Sequence, residues 1–174
     1  MRKMFVKTEN YRNFAAAVKA VEQRGAAEAG MMLVYGVPGL GKSHIVSSWA
    51  AENGAIFLRA NKDWTPRYAL SELAAALEID GRGNSQQLFS RLLKPIAANQ
   101  LPIIIDEAEF TLANQAASLE KIRDISDRAE NTVILIGMGD IQGAIKKYGQ
   151  ISSRIARVVE FKPSTPEDIQ AVCK

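Results

Sequence analysis

Nine residues, GVPGLGKSH from Gly36 to His44, constrain this chain more than any other stretch. They follow a short apolar run, Met31-Met32-Leu33-Val34-Tyr35, and lead into a helical pattern that starts at Ser43. Gly36, Gly41, Lys42 and Ser43 satisfy G-x-x-x-x-G-K-[ST] at every required position. Glycines let backbone N–H groups turn inward and approach phosphate oxygens with no side chain between, and the following helix turns the positive end of its dipole toward the same anions. Lys42 brings a point charge to the β- and γ-phosphates of a nucleotide, and Ser43 offers a hydroxyl to Mg²⁺. The whole segment, Gly36, Val37, Pro38, Gly39, Leu40, Gly41, Lys42, Ser43 and His44, is therefore expected to wrap a phosphate chain. A glycine-rich turn that merely carries a lysine does not account for the strand before it and the helix after it.

Composition narrows the setting. A chain of 174 residues with 47% hydrophobic and 24% charged residues has an ordinary globular balance and room for one substantial core. Lys and Arg number 22 against 19 Asp and Glu, so the net charge of +3 permits an anionic partner without demanding one. The single cysteine, Cys173, excludes an internal disulfide and a thiol metal cluster. No apolar run approaches the roughly 20 residues of a membrane span, and the start, Met1-Arg2-Lys3, leads into a mixed segment, so a soluble protein in a reducing cytosol is expected.

Periodicity gives alternating elements. Tyr11, Phe14, Val18 and Val21 describe an amphipathic helix over 8–24, with Thr8 as its cap and Gly25 as its stop. Leaning over the phosphate loop, this helix could bring Asn10 and Tyr11 to a base; Tyr11 as plain core is the simpler reading. A helix runs from Ser43 to Asn53-Gly54, carrying His44, which has no carboxylate or cysteine partner at a ligand spacing and reads as a helix residue. A strand over 55–58, a helix opened by Thr65-Pro66, and a helix capped by Ser85 follow. Pro95 is expected to kink that last helix or end it near Lys94. Leu101-Pro102-Ile103-Ile104-Ile105 and Val133-Ile134-Leu135-Ile136 are continuous apolar runs, the pattern of strands covered on both faces. A helix over 114–129, a short helix after Asp140 and a strand near 158–161 complete the set. These elements predict an α/β fold with a doubly wound, five-stranded parallel sheet flanked by helices and preceded by an N-terminal helix, its ligands at the carboxyl ends of the strands.

The strand ending in Asp106-Glu107 supplies the second half of a nucleotide site. Asp106 is expected to serve the Mg²⁺ shell and Glu107 to polarise the water that attacks the γ-phosphate. Neighbouring side chains on one strand point to opposite faces, so the pair works only if Glu107 begins the loop.

The phosphate loop, IIIDEAEF, a fourth strand and Ser-Ser-Arg before a fifth strand together resemble an AAA+ ATPase of the P-loop NTPase class. The TENYRNF lead-in and the wording YGVPGLGKSH further resemble the ATPase subunits of DNA-transposition systems, the phage Mu B, TniB and TnsC type. The resemblance runs from Thr8 to Pro166 and implies a core over 1–163, with 164–174 as the start of a truncated helical lid. It implies ATP and Mg²⁺ as cofactors, ATP hydrolysis to ADP and phosphate, and self-association into a ring or helical filament. It also implies nonspecific backbone contact with DNA, a transposase as partner, and a bacterial host cytosol. In such assemblies an arginine acts in trans on the neighbour's nucleotide; the matching position is Arg154, with Arg157 as a competitor. Family members carry a polar sensor after the fourth strand, where this chain has Gly137-Met138-Gly139-Asp140, leaving Asp140 as the candidate.

Arg59, Lys62, Trp64 and Arg67 cluster after the second strand, where related transposition ATPases face DNA. Three cations there offer a salt-dependent, sequence-independent attraction, with Trp64 either stacking or folded back on the core. Three roles fit the same residues: a transposition assembly factor, a replication helicase loader or origin-type ATPase, and a slow nucleotide switch that binds only protein.

Overall fold

In the computed structural model, residues 7–26 and 28–173 are described. Five parallel strands form one sheet in the order β2-β3-β4-β1-β5. They are β1 Met31–Tyr35, β2 Ile56–Arg59, β3 Ile103–Asp106, β4 Val133–Gly137 and β5 Ile155–Glu160. β1 and β4 pair residue for residue from Met31↔Val133 to Tyr35↔Gly137. β2 and β3 pair from Ile56↔Ile103 to Arg59↔Asp106. This register brings the carboxyl ends of all four strands to one edge, as the apolar runs predict.

Alternation along each strand divides the core in two. Met31, Leu33, Ile103, Ile105, Val133 and Leu135 face one layer of helices. That layer holds α3 Pro66–Ala76, α4 Ser85–Asn99, α5 Ala113–Ala129, α6 Ile141–Ile145 and α7 Gly149–Ser152. Met32, Val34, Ile104, Ile134 and Ile136 face the other, built from α1 Glu9–Glu22 and α2 Lys42–Asn53. The central strands are buried on both sides, which is why they read as unbroken apolar runs.

Local chemistry explains most boundaries. Thr8 caps α1 by accepting the Tyr11 N–H, and Thr65 caps α3 the same way from Tyr68. Gly54 closes α2 with a left-handed φ of 64°. Three expectations need correction. The cap of α4 is Asn84 and not Ser85: its side chain accepts from Gln87 N while Gln87 returns a bond to Asn84 N, a complete capping box. α4 also passes through Pro95 to Asn99, because Leu88, Phe89, Leu92 and Ile96 are buried on its inner face and hold the helix across the missing donor. α5 departs from the expected start as well, since Asn114, Gln115 and Ala116 have left-handed dihedrals and its regular turns begin after them.

α1 is pinned to the far end of the chain. Asn10 exchanges two hydrogen bonds with the Lys162 backbone, at 2.7 and 3.1 Å. That engages Asn10 structurally, and Tyr11 packs into the core beside Phe14. The last helix, α8 Pro166–Val172, is tied to the first through Asp168, whose carboxylate accepts from Glu9 N at 2.9 Å and Thr165 N at 3.2 Å. Burial acts to raise this carboxyl, but the hydrogen bonds from Glu9 and Thr165 outweigh it and hold it below the usual carboxylate range. A lowered carboxylate contributes stability above its unfolded value, near pH 3.9, and loses it as pH falls through the lower folded one. Asp168→Ala is therefore expected to lower Tm at pH 7, with the gap from the parent protein closing below about pH 4; a gap unchanged at pH 3 in calorimetry would contradict this coupling.

Candidate nucleotide site at the carboxyl edge of the sheet

The phosphate loop needs backbone that only glycine adopts easily. Gly36 has φ 155°, and a Cβ there would meet the Phe161 carbonyl oxygen at 2.8 Å. Gly41 takes the left-handed cap position of α2, with φ 74° and no side chain to bond the first turn. The amino end of α2 is thus left without a side-chain cap and opens toward the loop, the arrangement that accepts an anion.

A cavity of about 480 Å³ lies over this end. Its lining joins Pro38, Gly39, Gly41, Lys42, Ser43 and His44 from the loop to Asp106, Glu107 and Glu109 from the β3 exit. Phe110, Ile136, Gly137 and Met138 add an apolar wall. The two expected halves of the site, more than sixty residues apart in sequence, line one cavity.

Lys42 Nζ donates to the carbonyls of Gly36 and Val37, each at 2.8 Å. Burial pushes its pKa down, and the carboxylates of Glu109 and Asp106 partly offset that. The ammonium is therefore held inside the loop by two neutral acceptors, which a phosphate oxygen can replace with a charge-assisted bond. Asp106 is buried and Oδ1 accepts from Glu107 N at 2.9 Å. Glu107 itself has left φ 53° and ψ 45°, so the strand has ended and its exposed side chain leaves the β alternation. The condition placed on the carboxylate pair is met.

The donor set suits Mg²⁺. Ser43 and Asp106 line the same cavity and supply hard oxygens, a hydroxyl and a carboxylate. Among the described residues no group of three His, Cys, Asp or Glu side chains could hold a metal alone. Such a site matches the habit of Mg²⁺, which takes one or two protein oxygens and completes its shell with phosphate and water.

Glu109 escaped the sequence reading. It stands on the 3₁₀ turn Ala108–Leu112, accepts from Met138 N at the β4 exit, and its Oε1 lies 2.9 Å from where a Cβ of Gly137 would project. Together with Ile141, whose side chain lies closer still, it fills the space of a side chain that Gly137 lacks. An acid three residues after Asp106 was the available signal, but only the tight turn shows that it comes back to the cavity. Asp140, the candidate sensor, is exposed at the start of α6 and is outside the cavity lining.

The basic cluster is distributed differently from a free DNA-facing loop. Arg59 ends β2 in register with Asp106, its Nη2 3.3 Å from Asp106 Oδ2. Arg67 bonds Ser71 Oγ at 2.5 Å and the carbonyls of Gly81 and Gly83 at 2.6 and 3.0 Å, bracing the loop before α4. Trp64 is buried in the core, and Lys62 is exposed.

Arg154 precedes β5, and its carbonyl accepts the N–H of Met31, the first residue of β1. Four steps of about 3.3 Å set it roughly 13 Å along β1 from the edge where the phosphate loop begins. Its guanidinium meets Asp127 at 3.1 Å. Arg157 lies on the opposite side, lining a groove between α1 and β5.

No curated protein matches the sequence. Solved structures share its fold: Cdc6p from Pyrobaculum aerophilum, with a TM-score of 0.63 at 14% identity, covers 99% of this chain and 49% of its own. The Orc1 protein of Aeropyrum pernix, solved in complex with DNA, gives 0.64 at 17% identity over 98% of this chain and 49% of its own. Domain III of the Thermotoga maritima replication initiation protein DnaA gives 0.59 at 16%, over 97% and 69%. The chain thus spans about half the length of the Cdc6p and Orc1 chains. The family described as AAA domain matches residues 24–145, more than half of the sequence. The chain belongs to the AAA domain family, on a five-stranded P-loop α/β fold.

Proposed function

We propose that this protein is an ATPase whose hydrolysis site is completed by a neighbouring subunit and whose assembly takes place on DNA. The observation that carries the hydrolase reading is the convergence of Lys42, Ser43, Asp106 and Glu107 on one cavity. Lys42 and the α2 amino end hold the β- and γ-phosphates. Ser43 and Asp106 hold Mg²⁺, which when bound would neutralise charge on the phosphate oxygens. Glu107 orients the attacking water and takes up its proton. Arg154 cannot serve its own subunit from the opposite edge of the sheet; as a finger in trans it makes hydrolysis depend on assembly.

The role on DNA has two forms. The lead-in and loop wording favour a transposition factor that assembles on target DNA and directs a transposase, with hydrolysis driving disassembly. The Orc1 structure with DNA and the Cdc6p and DnaA folds favour an origin-type or helicase-loading ATPase. In either form contact with DNA is through the backbone and sequence-independent, with exposed Lys62 as the nearest cation of the loop after β2 and Arg59 and Arg67 available only by leaving their present partners.

Removing the ammonium in Lys42→Ala should weaken ATP binding about 10- to 100-fold, the loss of one charge-assisted bond; titration with a fluorescent ATP analogue reads it, and unchanged affinity would remove Lys42 from the site. Glu107→Gln should bind ATP normally and hydrolyse it about 10²- to 10⁴-fold more slowly. A hydrolysis rate equal to that of the parent protein would exclude Glu107 as the base. Nonspecific duplex DNA at low salt should raise both the sedimentation mass and the ATPase rate, and the effect should fade with added salt. Indifference of both to DNA would favour the protein-only switch.

A further inference from the structure

A compact ion cluster outside the cavity joins α5 to the start of β5. Arg123, 14% exposed, meets Glu120 at 2.8 Å, Asp124 at 3.0 Å and Asp127 at 3.1 Å. The pairs with Glu120 and Asp127, three and four residues away, are ordinary on a helix surface, and Asp124 is the chain neighbour of Arg123, so all three are local. The remaining link does not follow from helix spacing. Asp127 also receives Arg154, 27 residues on, through Nε to Oδ1 at 3.3 Å and Nη2 to Oδ2 at 3.1 Å.

That contact is a two-point fork on the Nε/Nη2 edge of the guanidinium, so it sets direction as well as distance. Nη1 reaches Ser153 Oγ at 3.1 Å. Three of the five N–H donors are thereby engaged among the described residues, which leaves one on Nη1 and one on Nη2 for another anion. Arg123 shares Asp127 Oδ2 and so fixes the carboxylate that fixes Arg154. A long side chain already held in one geometry gives up less freedom when a phosphate arrives than one that is loose.

We propose that Asp127, braced by Arg123, is the positioning residue for Arg154, holding its guanidinium by one edge so that the other is presented to the γ-phosphate in the adjoining subunit. This rests on the reading of Arg154 as a finger in trans. Asp127 touches no substrate itself and acts only through the arginine.

The test is a double-mutant cycle on the full chain with ATP, Mg²⁺ and duplex DNA. Asp127→Asn should lower kcat about 10- to 100-fold, the scale of a small misplacement of a catalytic group. KM for ATP should stay unchanged, because the subunit's own cavity is untouched. In an Arg154→Ala background the same substitution should add nothing. Glu120→Gln, which loosens the Arg123 brace one step further from Arg154, should lower kcat in the same direction but less than Asp127→Asn. If Asp127→Asn melts below the assay temperature, Asp127→Glu keeps the charge but shifts the carboxylate, and should lower kcat with KM constant. A fall on Arg154→Ala with none on either Asp127 variant would overturn the positioning role and leave the finger standing. An equal Asp127→Asn effect with Arg154 absent would also overturn it. No fall on Arg154→Ala itself would remove the finger and the positioning role together.

Discussion

Parallel backbone pairing is the constraint on which everything else here depends. Because Tyr35 aligns with Gly137 and Arg59 with Asp106, the sheet ends as one edge, and whatever follows β1, β3 and β4 is delivered to the same place. The loop, the carboxylate pair and the β4 exit need no direct interaction to find one another. Hydrogen bonds between strands whose side chains are buried on both faces hold them in register, and a slip of one residue would move every inward side chain to the wrong helix layer.

The same pairing separates Arg154 from the cavity. Residues entering β5 sit at the amino edge, beside Met31, while the glycine-rich loop begins past Tyr35. A site whose binding parts lie at one edge and whose candidate finger lies at the other is divided by geometry. On the proposed reading two copies joined edge to edge complete it, and assembly is then a precondition for turnover rather than its by-product.

What was legible in the sequence depended on whether its cause was local. The apolar runs of β1, β3 and β4, the Thr65-Pro66 helix start and the glycines of the phosphate loop all act within a few residues, and each was found where expected. The helix end offered near Lys94 is not found, because tertiary burial of Leu92 and Ile96 carries α4 past Pro95 to Asn99 despite the missing donor. Arg59 and Arg67 read as free cations, yet their partners lie at Asp106 and at Gly81 and Gly83, brought near by a strand pairing and a loop closure. Glu109 was invisible for a related reason: nothing in IIIDEAEF shows that a 3₁₀ turn carries its carboxylate back to Met138.

The central claim, a hydrolysis site shared between two subunits, is tested most directly by mixing Glu107→Gln with Arg154→Ala protein and following phosphate release. Each variant alone should be nearly inactive. A mixture places an intact Glu107 on one subunit against an intact Arg154 on its neighbour, so activity should return and depend on the mixing ratio. A mixture as inactive as its components at every ratio, with both variants still binding ATP and co-assembling, would contradict a site completed in trans.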